Sequence, residues 1–411
     1  MSSSLSQRGR QLVEHPPFAP YLLEHFARGG EAWEPATRPD GYIALCVAEN
    51  RSMWDELLAQ LVCYRDVPGR ALGYDAMIGN LEFRTKLAGF LSRELLGRDV
   101  GAEQLAVVAG AGSVLELLFY AIADEGDAVL VPTPSYAGFW ADLETRDKLH
   151  IIPVASSADS GFRVTPDDLD RALASAERPV KALLFTSPDN PLGRVYTADE
   201  LEAILAWGER TGVHVVFDEI YGLSVFGERP FVSVASLRPS LGERVHVVWA
   251  FSKDFGASGL RCGVLVSDNP EVLQAVDGLA YWAAVSGDTQ WLLGELVADT
   301  SFIPGYLARM RARLGSLYGL VTAALGEAGV PFVPADGGIF VLCDLRAWLD
   351  EPSWAGEDRL WRRIVDEANV NLTPGSACRI AEPGFFRLCY AAESRAAVRE
   401  GVRRLAALLG G

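Results

Sequence analysis

Residues 245–268 read VHVVWAFSKDFGASGLRCGVLVSD. The stretch opens on an apolar run without the alternation of a half-exposed strand, and it closes on a second such run, GVLVSD. Unbroken Val/Leu/Ala runs suit strands covered on both faces, as in a mostly parallel sheet. Lys253 falls where the first run stops, at the expected C-terminal mouth of its strand. Open α/β sheets bind ligands at that mouth. A lysine desolvated there becomes a competent Schiff-base amine. Taken alone, Ala250-Phe251-Ser252-Lys253 reads more readily as an ordinary surface lysine.

Working outward, runs of the same kind recur: LAVVAG at 105, AVLVPT at 128, HIIPVA at 150, VKALLFTS at 180 and HVVFDE at 214. Helical patterns lie between several of them, for example at 113–124 and 197–211. This alternation predicts α/β organisation with a mostly parallel sheet of seven strands. After Phe302 the pattern changes. A long helix is expected over 304–328, with Pro304 near its start. The strands PFVPA and GGIFVLCDL follow, then a helix at 357–369, a strand FFRLCYA and a last helix at 394–409. The expected division is a polar, Pro-containing arm (1–35), a large α/β domain (71–302), and a small α+β domain assembled from 36–70 and 303–411.

Other strand ends carry polar groups that fit one chemistry. Asp218, in Asp218-Glu219-Ile220-Tyr221, can pair with a protonated pyridine nitrogen and keep such a ring an electron sink. Tyr221 can hydrogen-bond a ring hydroxyl, as can Asn190 in SPDNPLG at 187–193. Separately, an Asp at a strand end also reads as a helix cap, and Asn-Pro as a turn. Gly110-Ala111-Gly112-Ser113 follows a strand and opens a helix, where backbone N–H groups and the helix dipole favour an anion. Ser113 with Glu116 also reads as a capping box. Arg261, eight residues after Lys253, can clamp a phosphate, and Ser252 can add a hydroxyl. Tyr136 can stack on a ring or simply pack in the core. Arg387, between apolar neighbours, is costly to bury without an anion. It suits a substrate carboxylate or an internal salt bridge.

The chain has 411 residues and a formal net charge of −17. So acidic a surface argues against nucleic acid and anionic membranes as partners. Six cysteines, at 46, 63, 262, 343, 378 and 389, include no C-x-x-C pair and no accompanying His cluster. Free thiols in a reducing compartment are expected, with no metal. MSSSLSQRGRQLVEHPPF lacks the apolar core of a signal peptide. The most apolar window, 105–123, contains Glu116 and two glycines, and reads as strand, turn and helix. A cytoplasmic protein is the expectation.

In order, these motifs identify a family. The sequence resembles class I/II aminotransferases of pyridoxal 5′-phosphate (PLP) fold type I, the aspartate-aminotransferase-like fold, over essentially its whole length. Within them it is most similar to 1-aminocyclopropane-1-carboxylate (ACC) synthases. The similar stretches include YIALCVAENRSMWDELL, IADEGDAVLVPTPSYAGF, ALLFTSPDNPLG, HVVFDEIYGLSVFG, VHVVWAFSKDFGASGLRCGVLVSDN and EPGFFRLCYA. The resemblance implies that Lys253 carries PLP and later acts as acid and base. It implies Asp218 at the pyridine nitrogen, Tyr221 and Asn190 at the ring oxygen, and Tyr136 stacked on the ring. Ala111, Gly112, Ser252 and Arg261 would hold the phosphate, and Tyr74 would reach a partner subunit's phosphate in a homodimer with shared active sites. Arg387 would bind the substrate carboxylate. Glu49, in Ala48-Glu49-Asn50, matches a glutamate implicated at the ACC synthase active site, though a surface or helix-capping role is its plainer reading.

Two departures stand out. Ala250 replaces the usual serine, and residues 140–146, where plant ACC synthases are richer in arginine, carry the non-basic Ala141 and Glu144. The implied chemistry is α-deprotonation of S-adenosylmethionine (SAM) and loss of methylthioadenosine from its γ-carbon. The product is then ACC, or a vinylglycine-type intermediate captured by a second small molecule in specialised metabolism. An amino-acid aminotransferase with a 2-oxo acid acceptor is the alternative, since the core residues serve both.

Overall fold

A computed structural model describes residues 4–410. The first three residues of the expected N-terminal arm therefore lie outside the described residues. All seven apolar runs form strands. After β1 (Ile43–Ala44) come β2 (Leu105–Val108), β3 (Ala128–Thr133), β4 (His150–Ala155), β5 (Val180–Thr186), β6 (His214–Asp218), β7 (Val245–Ala250) and β8 (Gly263–Ser267). β2 to β8 make one sheet in the order β2-β8-β7-β6-β5-β3-β4. Only β8 runs against its neighbours β2 and β7.

Two-sided burial accounts for the unbroken runs. Successive residues of one strand enter different cores. Leu105 and Val107 of β2 join the core on one face, with Val247 and Trp249 of β7. Ala106, Val108 and Val248 join the core on the other. Every position of such a strand is apolar because both faces are covered by helices. The edge strand β4 shows the contrast, with exposed His150, Pro153 and Ala155 among buried Ile151 and Val154.

The helix Ile303–Glu327 leads into the second sheet. Its buried residues Ile303, Tyr306, Leu307, Met310, Leu314, Leu317, Val321 and Leu325 recur at helical spacing. Strands β9 (Phe332–Val333), β10 (Phe340–Asp344), β12 (Thr373–Pro374) and β13 (Phe385–Cys389) form an antiparallel sheet ordered β12-β13-β10-β9. The PFVPA strand shortens to two residues because Pro331 and Pro334 lack ladder donors. β1 pairs in parallel with β11 (Val370–Asn371), which brings an early segment onto the C-terminal part of the chain.

The arm carries more structure than its composition suggests. It holds the helices Gln7–Glu14 and Pro20–Arg28, the first capped by Ser6 accepting from Gly9 N at 3.1 Å. Arg28 docks the second helix by donating to Asp366 at 2.6 Å. Among the described residues, no helix is long and apolar enough to cross a membrane.

Candidate active site

The C-terminal ends of β7, β6, β5, β3 and β2 deliver the expected residues to one region. β7 runs directly into the short helix Phe251–Asp254, which carries Ser252 and Lys253. Lys253 Nζ donates to the Ala48 carbonyl at 2.5 Å. Burial, then the neighbouring Arg387 charge, lowers its pKa to about 8, so a neutral amine is within easy reach. The next residue fixes this turn. Asp254 is buried and accepts from Leu223 N at 3.0 Å, Ser224 Oγ at 2.6 Å and Trp249 Nε1 at 2.8 Å. It thereby ties the turn after Lys253 to the turn after Tyr221.

Asp218 ends β6 beside β7 and is buried with one donor, Ile220 N at 3.2 Å. Burial raises its pKa to about 7. A carboxylate so poorly satisfied is stabilised by a cationic N–H donor. Tyr221 is buried edge-on to Phe340, with ring centroids 5.3 Å apart. Asn190 Oδ1 accepts from Arg387, leaving its amide nitrogen free to donate. Tyr136 follows β3 and is partly exposed, its ring edge-on to Phe139 at 5.3 Å.

The expected phosphate cradle is built around Gly110. Its φ of +94° opens the helix Ala111–Ile122, and a Cβ there would lie 2.4 Å from Arg261 Nη2. Gly263 is equally constrained, since its Cβ would lie 2.4 Å from the Gly110 carbonyl carbon. Among the described residues, the Arg261 guanidinium bonds only to carbonyls, Ser258 O at 2.9 Å and Ala109 O at 3.3 Å. It is thus a cation at the positive end of a helix dipole with no carboxylate bonded to it, an arrangement that an anion resolves. The expected capping box does not form. Gly110, not Ser113, precedes the helix, and the Ser113 hydroxyl donates back to Ala109 O at 3.2 Å. Asp142 also faces the cradle, 3.5 Å from a Cβ on Gly112. Burial, then Glu116, raises its pKa to about 6, which limits its repulsion of an anion.

Arg387 occupies the middle of β13 and is 1% exposed. Its acceptors are all neutral: Asn190 Oδ1 at 3.0 Å, Thr373 Oγ1 at 3.0 Å and Cys46 O at 3.1 Å. Nε has no partner. The internal salt bridge is therefore absent, and a buried guanidinium is left without a counter-ion. Such a charge is costly unless a carboxylate completes it.

Glu49 is neither a free surface residue nor a helix cap. One carboxylate oxygen accepts from the Ser258 hydroxyl and the other from Arg51 Nε at 2.5 Å. Burial alone would raise its pKa, but Ser258, Arg51 and the charge of nearby Lys253 hold it below the usual range. Tyr74 is not brought to this group within one chain. It is 100% exposed, with Leu72, Tyr281 and Trp282 exposed nearby. A groove of about 650 Å³ runs between Tyr74 and Tyr281.

Sequence reasoning missed Ser258, Thr373, Asn50 and the carbonyls of Cys46 and Ala48. Ser258 lies between two singled-out residues, Lys253 and Arg261, but nothing local marks it. The backbone carbonyls leave no residue-type signal at all.

The chain is similar to several known proteins. The profile of the family described as aminotransferase class I and II matches residues 45–405. 1-Aminocyclopropane-1-carboxylate synthase 4 of Oryza sativa subsp. japonica is 34% identical, over 98% of this chain and 89% of that protein. Synthase 3 of the same rice is 36% identical, over 95% and 92%. Among solved structures, the aspartate aminotransferase of Rhizobium meliloti superposes with a TM-score of 0.82 at 22% identity, over 100% of this chain and 99% of that one. An aromatic aminotransferase from Pyrococcus horikoshii gives 0.80 at 23%, over 90% and 96%.

Proposed function

Because this chain belongs to the class I and II aminotransferase family, whose enzymes use pyridoxal 5′-phosphate, we propose that it acts on S-adenosylmethionine and releases methylthioadenosine. When bound, PLP supplies the electron sink that stabilises charge at the substrate α-carbon. Lys253 would hold the cofactor, and its amine would take the substrate α-proton. Its lowered pKa suits that task near neutrality. Asp218 would pair with the pyridine nitrogen, Tyr221 and Asn190 would bind the ring oxygen, and Tyr136 would stack on the ring. Ala111, Gly112, Ser252 and Arg261 would hold the phosphate. Arg387 completes its unsatisfied fork on the substrate carboxylate.

Glu49 carries the reading. It is a carboxylate held ionised close to the Lys253 amine. A negative charge there complements a substrate whose leaving group bears a cationic sulfur. It adds nothing for an anionic 2-oxo acid. The strong likeness to ACC synthases along the chain supports the same substrate. The four-carbon unit then closes to ACC or is captured by a second small molecule. The exposed Tyr74 supports a homodimer in which it reaches the partner's phosphate.

The test is to mix holoenzyme with SAM in deuterated water and follow methylthioadenosine by mass spectrometry. Release with ACC establishes cyclisation, and release without ACC points to capture. The absence of both release and α-deuterium exchange overturns the reading and leaves an aminotransferase.

A further inference from the structure

We propose that Ser258 is a positioning residue that fixes the Glu49 carboxylate and ties its placement to Arg261 at the phosphate end of the site. Ser258 opens a single 3₁₀ turn, Ser258–Leu260. Its hydroxyl donates to one oxygen of Glu49. Its carbonyl accepts from Arg261 Nη1 at 2.9 Å. One residue thus touches Glu49 through its side chain and the phosphate-binding arginine through its backbone. The other arm of the clamp, Arg51, is 44% exposed and rests over the Trp54 ring at 4.9 Å. A long exposed side chain holds a position loosely, so the shorter, half-buried Ser258 is the fixed arm.

The surrounding contacts separate positioning from folding. Residues 48–54 dock on 253–258 through three further bonds that do not involve Ser258. Lys253 Nζ donates to Ala48 O at 2.5 Å, Asn50 Nδ2 to Lys253 O at 3.2 Å, and Trp54 Nε1 to Gly256 O at 2.8 Å. Close packing at Gly256 reinforces them, since a Cβ there would fall 1.8 Å from the Asn50 carbonyl oxygen. Removing the Ser258 hydroxyl therefore leaves the two segments together and frees only Glu49. An anion that draws Arg261 toward itself alters the hold on the Ser258 carbonyl, so filling the phosphate end bears on Glu49.

The inference rests on Glu49 being a site residue as proposed above, but its test needs no SAM turnover. Ser258→Ala and Ser258→Thr are made in the natural chain and in Glu49→Gln, and thermal unfolding of each holoenzyme is followed against pH. The folded Glu49 carboxyl lies below its unfolded value, so its stabilisation is present above the unfolded pKa and fades as pH falls through the folded one. Ser258→Ala should lower the midpoint at pH 7 by about 2–4 °C. The deficit should shrink at acid pH and disappear in Ser258→Thr, and it should lose its pH dependence in the Glu49→Gln background. A pH-independent deficit, or the same pH dependence without Glu49, overturns the proposal. Should the alanine variant not accumulate, Ser258→Cys, a weaker donor of similar size, reads the same way. Methylthioadenosine release is measured in parallel, and the acid limb of its pH profile should move upward in Ser258→Ala. No release by the natural chain would defeat the SAM reading while the unfolding cycle still decides the role of Ser258.

Discussion

The two ends of the seven-stranded sheet treat one carboxylate each, Asp268 and Asp218, in opposite ways. At the end away from Lys253, the histidines and the carboxylate are satisfied within the chain, although Arg98 Nε, among the described residues, has no partner. His214 Nδ1 and His246 Nε2 are 3.1 Å apart with their rings stacked, and His246 Nδ1 meets Ser267 Oγ at 2.9 Å. Asp268 accepts from Arg98 at 2.8 Å, Gln104 at 2.5 Å, Ser240 at 2.7 Å and Leu241 N at 2.7 Å. Burial alone would raise its pKa, but these donors bring it to about 2. At the Lys253 end, Asp218 has one donor and a pKa raised to about 7, and Arg387 Nε has no acceptor. Asp218 is buried and Asp268 only partly so, and the number of donors differs as well. A carboxylate saturated by its own chain is structural, whereas one left short is reserved for a group the chain does not supply.

The contrast breaks most visibly at Lys253. Lys253→Ala should abolish the visible absorbance of the PLP-loaded protein and cut turnover by about 10³-fold or more. An unchanged spectrum would remove Lys253 from the site.

Asp218→Asn should lower turnover by about 10²–10³-fold yet not destabilise the cofactor-free protein. Its carboxyl is raised from an unfolded value near 4 to about 7. The penalty is therefore absent in acid and grows as pH rises through 7. The asparagine variant, stripped of cofactor, should match the natural chain at pH 4 and melt higher at pH 8. A lower melting point at pH 8 would make Asp218 structural.

Arg387→Ala should weaken substrate binding about 100-fold, close to 3 kcal/mol, as read by spectral titration with substrate. Unaltered affinity would return Arg387 to a packing role.

Asp268→Asn should do the reverse of Asp218→Asn. It should cost about 2 kcal/mol of stability at pH 7 and leave the PLP spectrum unchanged. Because the Asp268 carboxyl is depressed, that deficit should shrink as pH falls from the unfolded value near 4 towards about 2.

Much of this contrast is legible before any coordinates. Asp218, Asn190 and Lys253 stand out because each follows an apolar run, and a polar residue just past a buried strand must face the sheet's mouth or solvent. Arg387 stands out because its neighbours Phe386 and Leu388 are strand-like and buried. Ser113 misled, because the capping-box spacing is a local rule. The tight approach of Gly110, Arg261 and Gly263, which starts the helix two residues earlier, is not local. The arm was under-read for a related reason. Its helices are short, and short helices draw their stability from docking, here through Arg28 and buried Tyr21, rather than from propensity.

The sequence by itself determined the strands, their covered faces, and which polar side chains stand at their ends, because strand period and burial act over a few residues. Only the tertiary structure decided what those side chains meet. Glu49 and Ser258 are 209 residues apart, and Arg387 reaches Asn190 across 197. No spacing rule links such positions. They are joined by the burial of apolar segments that carry them, and whether Arg387 finds a carboxylate or three neutral acceptors depends on how those segments pack.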